Sequence, residues 1–178
     1  MAPAHALLLA GAPGSGKTTV IRCVAEALRG RRVRGFTTEE IREGGERLGF
    51  RLETLDGRHG VLAHVSTPSP HRVGRYGVDI AALDAVVASA LALDLTTEAY
   101  LIDEIGKMEC LSARFVTAVR ALLDSDRLLV ATIAARGAGL IDEARRRKDV
   151  ELWTVTRGSR DGLAARVLAW LRERGAGG

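Results

Sequence analysis

Hydrophobic positions along the chain alternate between short uninterrupted runs and runs at helical spacing, which predicts strands that alternate with helices. The apolar run Ala6–Ala10 ends in a glycine-rich turn, and Thr18–Leu28 then carries apolar residues at helical spacing. Later segments repeat this succession as helix Ile80–Leu93, strand Tyr100–Ile102, helix Ser112–Leu123, strand Leu128–Ile133, helix Leu140–Arg147, strand Glu151–Val155 and helix Asp161–Arg172. The pattern predicts an α/β fold with a mostly parallel sheet and helices on both faces.

A different pattern interrupts this succession after the first helix. Val33–Ile41 and Leu48–Leu55 read as extended segments joined through two glycines, and Asp56–Gly57 then turns the chain into Val61–Val65. Adjacent strands joined by such short turns pair antiparallel. We therefore predict a small antiparallel insertion over about residues 35–65.

Two further stretches have no regular pattern. Ser66–Arg75 contains two prolines and is predicted to be an irregular loop, after which Asp79 is placed to cap the next helix. The glycine-rich tail Gly175–Gly178 is predicted to fray.

Length and composition indicate one domain. The chain has 178 residues, of which 47% are hydrophobic, enough for one core and too few for two comfortable domains. We expect a single domain over residues 1–178. No segment approaches the roughly 18 apolar residues of a membrane span, and Met1–His5 is too short to open a secretory signal. We therefore expect a cytoplasmic monomer that does not bind membranes.

Charge and cysteines add little to this picture. The net charge of +4 is compatible with nucleic acid, but aromatic residues are only 4% of the chain and no nucleic-acid motif supports such a partner. Cys23 and Cys110 lie far apart without further cysteines, so neither a disulfide framework nor a zinc site is predicted.

The glycine-rich turn after the first strand matches the Walker A pattern for phosphate binding. Gly11–Thr18 reads GAPGSGKT and lies between a predicted strand and a predicted helix, as the motif requires. Its glycines let backbone N–H groups and the helix N-terminus face an anion. Lys17 supplies a charge for the β- and γ-phosphates, and the Thr18 hydroxyl is placed to ligate Mg²⁺.

A second acidic motif follows a buried strand. Ala99–Glu104 is an apolar run that ends in Asp-Glu, the Walker B arrangement. Asp103 is expected to hold Mg²⁺ and Glu104 to orient and deprotonate an attacking water. Leu128–Ile133 is the candidate for a strand inserted beside the P-loop strand. Thr132, near its end, either contacts the γ-phosphate or the water, or is structural.

With these motifs in place, the chain resembles the THEP1-type nucleoside-triphosphatases, a family that includes the cancer-related nucleoside-triphosphatase of animals. The resemblance covers about residues 5–170. Beyond the P-loop, it is carried by Gly35–Arg42, Gly44-Gly45, Gly49-Phe50, Val73–Tyr76, Ile102–Glu109 and Arg145–Val150. The chain departs from the family pattern at Ser159-Arg160, where the family has Asn-Arg, and at Ala134, where it has proline.

The resemblance implies a RecA-like P-loop fold and Mg²⁺-dependent hydrolysis of ATP, GTP and other nucleoside triphosphates to the diphosphate and phosphate. The two motifs themselves assign catalysis to Glu104 and Lys17, and the metal to Thr18 and Asp103. The resemblance implies two nucleotide-contacting segments. With Thr19, the positions expected to bind the nucleotide are Gly11, Ala12, Pro13, Gly14, Ser15, Gly16, Lys17, Thr18, Thr19, Leu101, Ile102, Asp103, Glu104, Ile105, Gly106 and Lys107.

Several assignments stay open at this level. Arg42, Arg75, Arg147 and Arg160 lie in loops with motif character, and one or two of them could approach the γ-phosphate, although a solvated arginine is the simpler interpretation. Phe36 and Tyr76 could stack on a base or anchor the core.

Two other functions compete with hydrolysis. A nucleoside, nucleotide or polynucleotide kinase would look similar, with Glu104 activating an acceptor hydroxyl and Arg145–Arg147 acting as a lid. A regulatory module that hydrolyses slowly and signals through the insertion is the third candidate.

Overall fold

The structure is a computed structural model that describes residues 3–176. Its strands are β1 (Ala6–Ala10), β2 (Val33–Glu43), β3 (Glu46–Thr54), β4 (His59–His64), β5 (Arg72–Val73), β6 (Tyr76–Val78), β7 (Ala99–Ile105), β8 (Leu128–Ile133) and β9 (Val150–Thr154). Its helices are α1 (Lys17–Ala27), α2 (Ile80–Ala90), α3 (Ala113–Leu123), α4 (Leu140–Arg146) and α5 (Arg160–Glu173), with a short 3₁₀ turn at Glu109–Leu111.

All nine strands form one sheet in the order β5-β6-β4-β3-β2-β7-β8-β1-β9. One half of the sheet is parallel and consists of the neighbouring strands β2, β7, β8, β1 and β9. The other half is antiparallel and consists of β2, β3, β4, β6 and β5. Strand β8 lies between β1 and β7, as predicted for Leu128–Ile133. The carboxyl ends of β1, β7 and β8 therefore meet at one edge of the sheet, where both predicted motifs lie.

Helices cover both faces of the sheet, as predicted. Leu7 and Leu9 of β1 pack in a core with α1 and α5, whereas Leu8 packs in the core on the opposite face with α2 and α3. All five β1 residues are buried, because successive side chains of a central parallel strand point into two different cores.

The antiparallel part of the sheet is larger than predicted. The segment Ser66–Arg75, predicted to be an irregular loop, instead leads into the hairpin of β5 and β6, and β6 pairs with β4. The insertion therefore continues to Val78 and does not end near residue 65. The two prolines lie before the hairpin, so they leave its backbone N–H groups free to pair.

Most other element boundaries agree with the sequence. Asp79 caps α2 by accepting a hydrogen bond from the N–H of Ala82 at 2.9 Å. The tail differs from its prediction, because Ala176 is buried against the α1 and α5 core rather than frayed; residues 177–178 lie outside the described part. No helix in residues 3–176 is long and apolar enough to cross a membrane.

Candidate active site

The loop between β1 and α1 leaves the start of α1 open toward a cavity. The helix begins at Lys17 after Gly16, and no side chain within residues 3–176 caps it by a hydrogen bond. Its first N–H groups are thus available to an anion, and the helix dipole favours negative charge there. The ammonium of Lys17 donates to the carbonyls of Gly11 at 2.8 Å and Ala12 at 3.3 Å.

Gly16 is required at its position by two features. Its φ of 103° lies in the left-handed region, and a Cβ there would lie 2.7 Å from the Cδ of Arg160. The Arg160 side chain therefore packs directly on the glycine loop. Ser159-Arg160 is where the chain departs from the family pattern, and the arginine of that pair is still at the site.

Asp103 is buried at the end of β7 and is held from both neighbouring strands. Its Oδ1 accepts a hydrogen bond of 2.7 Å from the hydroxyl of Thr132 on β8. Its Oδ2 accepts one of 3.1 Å from the hydroxyl of Thr38 on β2. Arg22 of α1 donates to the carbonyl of Thr38 at 3.0 Å. The network fixes the carboxylate, and it shows that Thr132 orients Asp103.

We predict that Thr132→Val weakens the response of the protein to Mg²⁺. The exchange keeps the shape of a fully buried side chain and removes a hydrogen bond to a carboxylate that could bind metal. Loss of such a supporting hydrogen bond typically costs about 10- to 100-fold in metal affinity. A Mg²⁺ titration of nucleotide turnover measures the shift. Thr117→Val, on the exposed face of α3, is the matched control; an equal shift in both variants would exclude the role of Thr132.

Glu104 lies beside Asp103 and faces the same cavity. Burial raises the pKa of its carboxyl, the positive charge of Lys17 opposes that rise, and the charge of Asp103 adds to it. A carboxylate with a raised pKa is a stronger base than an exposed one, which is the property that a general base needs.

One cavity of about 730 Å³ connects these groups. Its lining includes Lys17 and Thr18 from the start of α1 and Asp103, Glu104 and Lys107 from the end of β7 and the turn after it. The antiparallel insertion also contributes to the lining, through Glu40, Arg42, Arg47, Phe50, Leu62 and Val73. A phosphate group bound at the start of α1 would therefore face Glu104 and the acidic end of β7.

The predicted positions divide by whether they line the cavity. Those that line it are Pro13, Gly14, Gly16, Lys17, Thr18, Thr19, Asp103, Glu104 and Lys107. Those that are not part of its lining are Gly11, Ala12, Ser15, Leu101, Ile102, Ile105 and Gly106. Of these, Leu101, Ile102 and Ile105 are fully buried and pack in the two cores, and Ser15 is also buried. These buried residues can support the site only through their backbone.

The four candidate arginines are also separated by the structure. Arg42 and Arg160 line the cavity, and Arg42 is held by Glu40 at 2.6 Å. Arg75 pairs instead with Glu46 at the surface of the insertion.

Arg147, which was also part of the kinase lid, lies away from the cavity. Its guanidinium pairs with Asp124 and Asp149, both at 2.6 Å. Among residues 3–176, the cavity lining includes no member of Arg145–Arg147. The lid that the kinase interpretation required is therefore not observed in the described part of the chain.

The aromatic candidates are core residues. Phe36 is fully buried and packs on Phe115, and Tyr76 is 9% exposed and packs edge-to-face on Phe50. Arg47 lies over both rings of the latter pair and donates to the Tyr76 hydroxyl at 3.0 Å.

Three groups at the site escaped the sequence analysis. Thr38 contacts Asp103, Arg22 supports Thr38, and the carboxyl of Glu109 lines the cavity from the 3₁₀ turn after β7. Thr38 and Glu109 belong to segments that carried the family resemblance, but no chemistry could be given to them without the strand order. Nothing in the sequence pointed to a role for Arg22 except that it lies four residues after Thr18 in the same predicted helix.

Comparisons with known proteins agree with this geometry. A family model described as NTPase matches residues 6–168. The nucleoside-triphosphatase THEP1 of Thermotoga sp. (strain RQ2) is 38% identical over 93% of this chain and 95% of its own length. The human cancer-related nucleoside-triphosphatase is 38% identical over 90% and 93%, respectively. The crystal structure of THEP1 from Aquifex aeolicus superimposes with a TM-score of 0.85 at 33% identity, covering 93% of this chain and 98% of that one. These likenesses confirm the predicted P-loop NTPase fold.

Proposed function

Because the chain belongs to this NTPase family, we propose that it hydrolyses nucleoside triphosphates to the diphosphate and phosphate, with Mg²⁺ as cofactor. The observation that carries the proposal is the single cavity in which Lys17 and the start of α1 face Asp103 and Glu104. The names of its relatives support triphosphate hydrolysis. The proposed substrates are ATP, GTP and other nucleoside triphosphates.

The residues around the cavity fit a Mg²⁺ ion. The Thr18 hydroxyl and the Asp103 carboxylate are hard oxygen ligands, and both line the same cavity. Asp103 already accepts hydrogen bonds from two threonines, so it is preorganised to bind the ion directly or through water. When bound, Mg²⁺ would neutralise charge on the phosphate oxygens.

The protein itself binds the phosphates and accepts the proton of the attacking water. The α1 N–H groups and Lys17 bind the phosphates and stabilise charge that develops during transfer. Lys17 must leave the carbonyls of Gly11 and Ala12 to do so, a movement that a flexible lysine makes easily. Glu104 orients a water molecule and takes its proton as the water attacks the γ-phosphorus. Glu104, the proton acceptor, thus lines the same cavity as Lys17 and the start of α1, which bind the phosphates.

The experiment that tests this function compares nucleotide panels with and without metal. Purified protein is incubated with ATP, GTP, CTP and UTP in Mg²⁺ or in excess chelator, and diphosphate and phosphate are quantified separately. Equal amounts of both products in Mg²⁺ and none in chelator are expected. Diphosphate formed without free phosphate would instead indicate transfer to an acceptor and support the kinase.

We predict that Asp103→Asn changes the metal requirement more than the affinity for the nucleotide base. The amide keeps an oxygen ligand but loses the negative charge that attracts a divalent cation. Turnover should then need about 10- to 100-fold more Mg²⁺ for half-maximal rate, a typical cost of altering a metal site. The check is a Mg²⁺ titration at saturating nucleotide. Asp126→Asn, at an exposed loop, is the control; an unchanged Mg²⁺ midpoint in Asp103→Asn would contradict the proposed ligand.

A further inference from the structure

A buried carboxyl lies directly behind the proposed general base and has no role in the mechanism above. Glu109 belongs to the 3₁₀ turn after β7, and only 5% of its surface is exposed. A Cβ added to Gly106 would lie 2.7 Å from Oε1 of Glu104 and 2.8 Å from Oε2 of Glu109. The two carboxyl groups thus approach the same point from either side of the glycine.

The carboxyl of Glu109 receives no hydrogen bond from any side chain within residues 3–176. Burial raises the pKa of this carboxyl by more than the nearby backbone N–H groups of Glu109 itself and of Gly106 lower it. No cation pairs with Glu109 in the described chain, although buried carboxylates are normally paired.

The surroundings of Glu109 favour its neutral form. Burial, followed by the negative charge of Glu104, raises its pKa to about 8, and Asp103 adds to the rise. The adjacent thiol of Cys110 is also neutral, because burial raises its pKa to about 12. Of the cations that line the cavity, Lys17 lies close enough to Glu104 to oppose the rise that burial causes in the pKa of that carboxyl.

We propose that Glu109 is a positioning residue: its neutral carboxyl donates an O–H hydrogen bond to Glu104 and fixes that carboxylate toward the attacking water. The proposal rests on the proposed function, since it assigns Glu109 a task in the same hydrolysis. Two buried carboxyl groups close to one another cannot both stay ionised without a large repulsion, and one shared proton removes it. The absence of a side chain at Gly106 leaves room for both carboxyl groups.

This arrangement predicts a specific pattern of kinetic effects. Glu109→Leu fills a similar volume without the donor, so kcat should fall about 10- to 100-fold with little change in KM, as expected when a reacting group is misplaced. Glu109→Gln keeps a donor that does not ionise, and should recover most of that loss. Since ionisation of Glu109 removes its proton, wild-type kcat should fall as pH rises through about 8. Glu109→Gln should lack this alkaline decline.

The test measures kcat and KM from about pH 6 to pH 10 for the wild type, both Glu109 variants and the control Glu143→Gln. Glu143 is an exposed residue of α4 outside the cavity, so its variant should keep the wild-type profile. Thermal unfolding and binding of a fluorescent nucleotide verify that each variant is folded. If Glu109→Leu does not fold, the pH profile of Glu109→Gln alone tests the positioning role of Glu109.

Several results would overturn the inference. These are a Glu109→Gln loss as large as that of Glu109→Leu, an alkaline decline that persists in Glu109→Gln, or a folded Glu109→Leu with wild-type kcat. Glu104→Gln, measured in parallel, separates this inference from the proposed function. If Glu104→Gln is slow and the Glu109 variants are normal, only the role of Glu109 fails. If Glu104→Gln turns over at the wild-type rate, the proposed base itself is wrong.

Discussion

Glu104→Gln is expected to bind Mg²⁺-nucleotide normally and to turn it over about 10²- to 10⁴-fold more slowly, the usual effect of losing a positioned general base. This corresponds to roughly 3 to 5 kcal/mol of activation free energy. The amide has the size of the carboxyl and can still hydrogen-bond, so the cavity keeps its shape. It cannot accept a proton from water, and the chemical step alone should suffer.

Binding and turnover of Glu104→Gln must be measured separately to see this. A fluorescent nucleotide reports affinity, and phosphate release under single-turnover conditions reports the chemical step. Glu43→Gln, at the exposed end of β2, makes the same exchange outside the cavity and should behave as wild type. If Glu104→Gln releases phosphate at the wild-type rate, Glu104 is not the base, and a water positioned by Thr132 or by an arginine that lines the cavity becomes the alternative.

Lys17→Ala should remove most nucleotide binding and lower turnover about 10²- to 10³-fold, as is typical when a donor to transition-state charge is deleted. The fold should survive, because the Lys17 ammonium contacts only the two carbonyls of Gly11 and Ala12 and no acidic partner within the described residues. Its removal breaks no salt bridge among the described residues, although it removes the positive charge that opposes the rise that burial causes in the pKa of Glu104. The phosphates lose their nearest cation, so affinity and rate should fall together.

Isothermal calorimetry and steady-state kinetics check Lys17→Ala, with thermal unfolding as the measure of its stability. Lys148→Ala, at an exposed position after α4, is the matched control for losing a lysine. A Lys17→Ala protein with unchanged affinity and kcat would show that phosphates do not bind at the start of α1. A variant that unfolds would show that Lys17 has a structural role instead.

The sequence predicted those parts of the site that lie in one continuous segment. Gly11–Thr18 directly follows strand β1, and Ala99–Glu104 lies within strand β7 and carries the two acidic residues near its end, so local periodicity and motif spacing were sufficient. The place of β8 between β1 and β7 was also correct, because a Walker B strand that ends in Asp-Glu is typical of proteins with an inserted strand. The departures at Ser159 and Ala134 changed neither the fold nor the position of Arg160 at the glycine loop.

The parts that the sequence did not predict depend on contacts between distant segments. Thr38 approaches Asp103 only because β2 pairs with β7, and nothing within β2 itself reports that pairing. The β5–β6 hairpin could not be predicted, because strands of two and three residues are too short to show an alternation of apolar and polar residues. Glu109 ended a segment that carried the family resemblance, but nothing in the sequence indicated its burial, which depends on the three-dimensional fold.

An isotope experiment can show whether water attacks the γ-phosphorus of a triphosphate bound at this site. The protein is incubated with Mg²⁺ and γ-labelled ATP in water enriched in heavy oxygen, and the released phosphate is analysed by mass spectrometry. Hydrolysis at this site should give free labelled phosphate that carries one heavy oxygen from the solvent, in an amount equal to the diphosphate, and none above background from Glu104→Gln in the same time. Label that stays on the nucleotide, or that appears on an acceptor without a solvent oxygen, would contradict it.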